Sequence, residues 1–238
     1  MSTAAASDHT APLIGGSYHF LLRRLHSLTG LVFGGYLIVH LLVNATIAQG
    51  GTVYQQQVGK IHSLPLLPVI EWTFIYLPIL YHTVYGIWIT LTGQPNVGRY
   101  PYTKNYFYVL QRISAIVIVV FMLIHILSLK YGMLGLNYRF DPHHALGTVG
   151  RHLDHGWLVW LVYPLGILAS CYHLANGFWT AAITWGLTIS ADSQKRFGYA
   201  CAGLFVLLFI AGIASLIAGA NLDWNDLMTT QRELGHGV

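Results

Sequence analysis

Two octapeptides in this chain share one arrangement. Tyr81-His82-Thr83-Val84-Tyr85-Gly86-Ile87-Trp88 and Tyr172-His173-Leu174-Ala175-Asn176-Gly177-Phe178-Trp179 both read Tyr-His-x-x-x-Gly-x-Trp. Each lies in a long apolar stretch with no charged residue near the histidine, where an imidazole is costly to bury unless its nitrogens are satisfied. His40 and His125 occupy two further apolar stretches, so four of the 13 histidines lie deep, one in each of four successive segments. A single such histidine is explained by a bond to a neighbouring Ser, Thr or carbonyl. One per helix is what a four-helix bundle needs to ligate cofactors between facing helices. A haem iron held by two imidazoles has no open coordination position, so this constellation carries electrons and does not bind oxygen. Zinc suits it poorly, because two-histidine sites between apolar helices lack the further ligands that zinc takes.

The elements that must position these residues follow from composition. The 238 residues are 55% hydrophobic and 8% charged, against about 25% charged for a soluble domain. Five apolar blocks, 25–48, 66–93, 107–129, 157–187 and 199–220, each reach the roughly 20 residues that a helical span requires. The expected fold is therefore all-α, a membrane bundle of five helices with two haems inside a four-helix core. The net charge of +4 is no nucleic-acid footprint, because the 12 Lys and Arg are scattered among loops. With a cytoplasmic N-terminus the basic residues divide 7 inside to 5 outside, and Arg23-Arg24 before the first block sets the orientation. The opening residues lack the basic start and short apolar core of a cleaved signal, so the first span is read as retained. Cys171 and Cys201 both sit inside spans, and no Cys-x-x-Cys-His for covalent haem attachment occurs.

Depth sorts the histidines into pairs. His40 lies 16 residues beyond Arg24 and His125 lies 13 beyond Arg112, which puts both about 20–25 Å from the inner charges. His82 is 11 residues before Gly93, at the end of its helix, and His173 is 14 before Leu187. His40 thus pairs with His125 in the outer half, and His82 with His173 nearer the inner face. The similar intervals, 85 and 91 residues, suggest that spans three and four repeat spans one and two. Gly86 and Gly177, one helical turn after their histidines, would clear the edge of a flat macrocycle.

Residues 1–17 are expected to be a cytoplasmic arm, 18–222 the bundle and 223–238 an external tail. Tyr18 to Ser27 is a basic, aromatic entry whose His26 and Ser27 serve either interfacial anchoring or a charged group of a bound cofactor. Arg112 is a second candidate for that charge. Pro78, four residues before His82, is expected to kink its helix. His143, His144, His152 and His155 lack compact ligand spacing and read as solvated loop residues. The fifth span holds no histidine, arginine or acid and serves packing.

Taken together, Arg23-Arg24-Leu25-His26-Ser27-Leu28, His40-Leu41-Leu42-Val43-Asn44, Tyr81 to Gly86, Leu110-Gln111-Arg112 and His173-Leu174-Ala175-Asn176-Gly177 resemble the dihaem cytochrome b (b558-type) membrane anchor of succinate:quinone oxidoreductases and fumarate reductases. The resemblance runs from about residue 18 to 215. It implies a single-polypeptide anchor in a bacterial cytoplasmic membrane that carries a flavoprotein subunit and an iron–sulfur subunit on its cytoplasmic face. It implies two haems b, the proximal on His82 and His173 and the distal on His40 and His125. Electrons from succinate would pass through both to a quinone, menaquinone above others, and fumarate reduction would run the path backwards. His26 and Ser27 match positions near the haem propionates. Some fumarate reductases of the family place a proton-carrying glutamate two residues before the fourth ligand; here that position is Cys171, which favours the succinate-oxidising direction. Asn44, His62 and Glu71, at the outer ends of spans one and two, are the quinone-site candidates, with Glu71 read equally as an interfacial carboxylate facing water. A hydrogenase or formate dehydrogenase anchor lacks the Arg-Arg-Leu-His-Ser entry, and a transporter with structural histidines would bind no haem.

Overall fold

The computed structural model describes residues 14–134, 139–154 and 156–222. The expected tail lies outside them, as does residue 155 and all of the expected arm except its last four residues, which already belong to the first helix. Among the described residues there is no strand. Eight α-helices follow in chain order: α1 Ile14–Ala45, α2 Gly51–His62, α3 Leu67–Glu71, α4 Leu77–Thr92, α5 Thr103–Leu129, α6 Ala145–Leu153, α7 Trp157–Thr184 and α8 Ala191–Ala220. Among the described residues five segments are long and apolar enough to cross a membrane: Tyr18–Gln49, Leu67–Thr92, Thr103–Leu129, Trp157–Thr184 and Ala191–Ala220. The expected five-span, all-α architecture is thereby met, with the first and fifth spans beginning seven and eight residues earlier than the apolar blocks indicated.

Helices α1 and α4 pack side by side, as do α5 with α7 and α7 with α1, whereas α4 and α5 barely touch. The four make a square that is loose along one edge, and α8 closes the outside of the α1–α7 edge. The core lies at that edge, where Leu41, Ile167, Cys171, Leu174 and Leu208 are buried together. Facing lipid instead, α4 and α5 expose Leu80, Val84, Leu91, Ile116, Val120 and Leu123. In water such a surface would drive association, while a hydrocarbon solvent leaves helix packing to close van der Waals fit.

Pro78 acts differently from a simple kink. It stands in the first turn of α4, and the residues before it, Trp72–Tyr76, form a π-helical turn that joins α3 to α4. Proline has no N–H to offer the carbonyl of Phe74 and its ring crowds that carbonyl, so the wider turn absorbs the mismatch.

The two longer connections are not open loops. Helix α2 and helix α6 fold over the end of the bundle that holds His40, burying Tyr54, Val58, Ala145 and Leu146 against Ile47. Buried Gln55 fixes the two together, donating from Nε2 to the carbonyl of Pro142 (2.6 Å) and accepting from the backbone N–H of Leu146 (3.3 Å). Burial pushes the Tyr54 phenol up to about 12. His152, expected to be solvated, is buried within this cap, because the amphipathic turn of α6 faces it toward the bundle. His143 and His144 are exposed as expected, and His155 lies outside the described residues.

Candidate functional site

The four deep histidines meet in two facing pairs. The rings of His82 and His173 have centroids 6.1 Å apart with planes at 88°, and those of His40 and His125 are 6.0 Å apart at 88°. Each pair spans a diagonal of the helix square, α4 to α7 and α1 to α5. A metal–imidazole bond is about 2.0 Å and a ring centroid lies roughly 1 Å beyond its nitrogen, so two imidazoles sharing one iron would have centroids up to about 6 Å apart. Both pairs therefore fit bis-imidazole ligation of a haem.

The hydrogen bonds support the same chemistry. The Nδ1 of His82 lies 3.0 Å from the carbonyl of His26, and that of His173 lies 3.2 Å from both the carbonyl of Gln111 and the hydroxyl of Ser114. His125 directs Nδ1 to the Tyr163 hydroxyl at 3.1 Å. His40 directs it to Tyr36 at 3.5 Å, and its Nε2 stands 3.5 Å from Asn44 Nδ2. A backbone carbonyl only accepts, so it places the proton of His82 and His173 on Nδ1 and leaves their Nε2 to bind metal, whereas a phenol can take either role toward His40 and His125. Among the described residues no three His, Cys, Asp or Glu side chains converge on one point.

The two layers lie at different depths. His26 stacks on His82 at 4.0 Å, and on the same helix His40 follows 14 residues later, a rise of about 21 Å. On α5, Ser114 touches the first pair and His125 belongs to the second, 11 residues on, about 17 Å.

His26 and Tyr85 lie beside the His82–His173 layer, and the Arg112 guanidinium stands against Gly93 at the end of α4. The Nδ1 of His26, the hydroxyl of Tyr85 and the Nε of Arg112 are buried without a hydrogen-bond partner, and unpaired buried polar atoms call for an occupant. An anionic carboxylate of a bound group would satisfy them. Arg112 also lies over the ring of Tyr108, 3.3 Å from its centroid. The hydroxyl of Ser27 accepts from the Trp185 indole at 3.0 Å, which leaves its own proton to donate.

The glycines divide. A side chain on Gly86 would meet His26 at 3.1 Å, so its missing Cβ makes room for that imidazole, while Gly177 has Gln111 Nε2 nearby at 3.7 Å. Gly30, which sequence reasoning passed over, is the more confined: a Cβ there would stand 2.5 Å from His82 Cε1. Ser114, Tyr163 and Tyr36 were also missed, and Gln111 was singled out in a motif without a role. Gln111 alone had a visible signal, an amide inside an apolar helix.

The quinone candidates are not brought into mutual contact. Asn44 donates to the carbonyl of His40 at 2.7 Å, His62 is exposed with its ring 6.2 Å from Phe140, and Glu71 is half-buried where the π turn begins. Beside Glu71, Lys130 donates to the Tyr76 hydroxyl, and that contact raises the ammonium's pKa.

The family model described as the succinate dehydrogenase/fumarate reductase transmembrane subunit matches residues 94–212. The chain is also 33% identical over 207 residues to the succinate dehydrogenase cytochrome b558 subunit of Bacillus subtilis (strain 168), covering 86% of this chain and 99% of that relative.

Proposed function

Because the chain belongs to the family of succinate dehydrogenase/fumarate reductase transmembrane subunits, we propose that it is the membrane anchor and electron-transfer subunit of a succinate:menaquinone oxidoreductase. The observation that carries this reading is the two facing histidine pairs, at 6.1 and 6.0 Å, in separate layers of one bundle. Two haems b, when bound, supply one-electron transfer that changes neither proton count nor coordination. His82 and His173 would hold the proximal group, His40 and His125 the distal one. His26, Ser27 and Arg112 would take the propionates of the proximal haem, with Gly86 and Gly177 at its edge.

The protein's own work is positional. It excludes water from both layers, fixes the tautomers of His82 and His173 through backbone carbonyls, and holds the layers close enough for electrons to pass between them. Asn44, His62 and Glu71 would meet the quinone at the capped end, where the cap and the π turn give polar groups access to the membrane edge. A flavoprotein and an iron–sulfur subunit would dock at the opposite end, on the cytoplasmic side of a bacterial inner membrane, with the N-terminus on that side and residues 223–238 outside. Succinate chemistry would belong to the flavoprotein and quinone chemistry to this chain. Fumarate reduction is the same path reversed.

A pyridine haemochrome assay on the purified complex tests the reading. Two haems b per chain are expected, with one lost in His82→Ala or His173→Ala and the other in His40→Ala or His125→Ala. A colourless complex would leave four structural histidines and remove the electron path.

A further inference from the structure

The two histidine layers are anchored by different chemistry. In the His82–His173 layer the Nδ1 partners include the backbone carbonyls of His26 and Gln111, which no substitution deletes. In the other layer they are phenols, Tyr36 at 3.5 Å from His40 and Tyr163 at 3.1 Å from His125. The Tyr163 contact is the shorter and the better built. Tyr163 is 8% exposed, and its ring is held from two sides, by Phe121 at 5.3 Å and by His152 of the cap at 5.1 Å. Phe121 is itself seated on Gly166, where a Cβ would collide with its ring. It also lies 5.5 Å from the His125 ring. Tyr163 cannot swing away from His125 without displacing both neighbours.

Resting on the haem-binding reading above, we propose that Tyr163 is the positioning residue of the distal ligand His125 and sets the electron affinity of the distal haem. An imidazole bound to iron through Nε2 keeps its proton on Nδ1, so Nδ1–H donates and the Tyr163 oxygen accepts. An acceptor at that position raises the basicity of the ligand and favours the ferric form. It also fixes the plane of the ring about its own axis. Because Tyr163 touches α6 through His152, the cap is mechanically joined to the distal ligand. Among the described residues no such link reaches the proximal pair, whose anchors lie on the transmembrane helices themselves.

The experiment is a redox titration with low-temperature electron paramagnetic resonance on the intact, detergent-purified complex carrying Tyr163→Phe. The distal signal is identified by its loss in His40→Ala. With two haems retained, the distal potential should rise by about a tenfold change in its ferric-to-ferrous equilibrium, about 59 mV for one electron, and the proximal potential should stay where it is. Selective loss of the distal haem would support the same assignment, since the ligand would have lost its orientation. Equal shifts at both haems, or none at either, would overturn it. Should the phenylalanine variant fail to assemble, 3,5-difluorotyrosine at position 163 keeps ring and hydroxyl while weakening the acceptor. A smaller rise at the distal haem alone is then expected, and an unchanged potential would overturn the proposal. A wild-type complex without haem would instead refute the functional reading on which it rests.

Discussion

The carbonyl of His26 accepts the Nδ1 proton of His82 at 3.0 Å while the ring of the same His26 stacks on the imidazole it holds, at 4.0 Å and 10°. One residue of α1 thus fixes both the tautomer and the plane of a histidine on α4. The backbone contact survives substitution and the ring contact does not. His26→Ala should therefore keep His82 in place while removing a buried donor beside the proximal layer. Haem content should stay at two per chain, and the proximal spectrum alone should change; a redox-resolved absorption spectrum distinguishes this from loss of the group.

Gly30 makes the opposite case. A Cβ at that position would stand 2.5 Å from His82 Cε1 and 2.7 Å from Nδ1, and the ring cannot yield without breaking its bond to His26. Gly30→Val is expected to cost about 1–3 kcal/mol through overpacking and to displace the imidazole from its partner His173. Haem counting should find one haem per chain, the distal, with a lower melting temperature of the purified complex. Two haems in this variant would mean that α1 and α4 can separate at no cost to the site.

What the sequence revealed and what it hid follow from periodicity. Spans and pairing were legible because burial in lipid demands long apolar runs and because depth along a helix is linear in residue number. His40 and His125 could be matched from their distances to Arg24 and Arg112 alone. Their anchors could not, since Tyr163 and Ser114 look like any polar residue in an apolar helix until α5 and α7 are placed side by side. The cap was misread as loop for another reason. Helix α6 is short and polar on one face, yet Ala145, Leu146, Val149 and Leu153 recur at helical spacing, and Tyr54 and Val58 do so in α2. Those stripes were the available signal, and His152 belonged to one of them.

The cap depends on one buried amide. Gln55 is 7% exposed and bonds both the carbonyl of Pro142 and the N–H of Leu146. Gln55→Leu keeps the volume but leaves both backbone groups unpaired, at about 1–3 kcal/mol for each. Hydrogen exchange at 142–153 should accelerate while the amides of α7 keep their protection. If the segment kept its protection too, the cap would be held by its apolar contacts alone.

The turn that leads into α6 should respond to acid. Asp141 accepts from His144 Nδ1 at 2.8 Å and from the backbone N–H of His143 at 2.9 Å, and the His144 contact holds its carboxyl below the usual range. A carboxyl depressed in the folded state stabilises it fully above the unfolded value of about 3.9 and loses that contribution as pH falls through the lower folded value. The pair is exposed, so salt weakens it. Local opening of 142–148, followed by hydrogen exchange with the intrinsic rate divided out, should rise below about pH 4, and Asp141→Asn should abolish that dependence. An identical acid response in the variant would place the sensitive group elsewhere.

Cys171 stands two residues before His173, and the structure gives it a packing role. It is 0% exposed and lies in the core with Leu41, Leu174 and Leu208. Cys201, 5% exposed on α8, is likewise enclosed. Neither thiol should react with a maleimide until the complex is denatured, when both should. Cys171→Ala removes one sulfur from a tight core and should leave two haems and electron transfer intact. Cys171→Glu would place a carboxyl among leucines, where an unpaired charge costs several kcal/mol and the group is kept neutral instead. Its yield of haem-loaded complex should fall several-fold, and vesicles containing the survivors should show no added proton movement during quinone turnover. Added proton movement would show that water reaches this level of the bundle, and would return position 171 to a transport role.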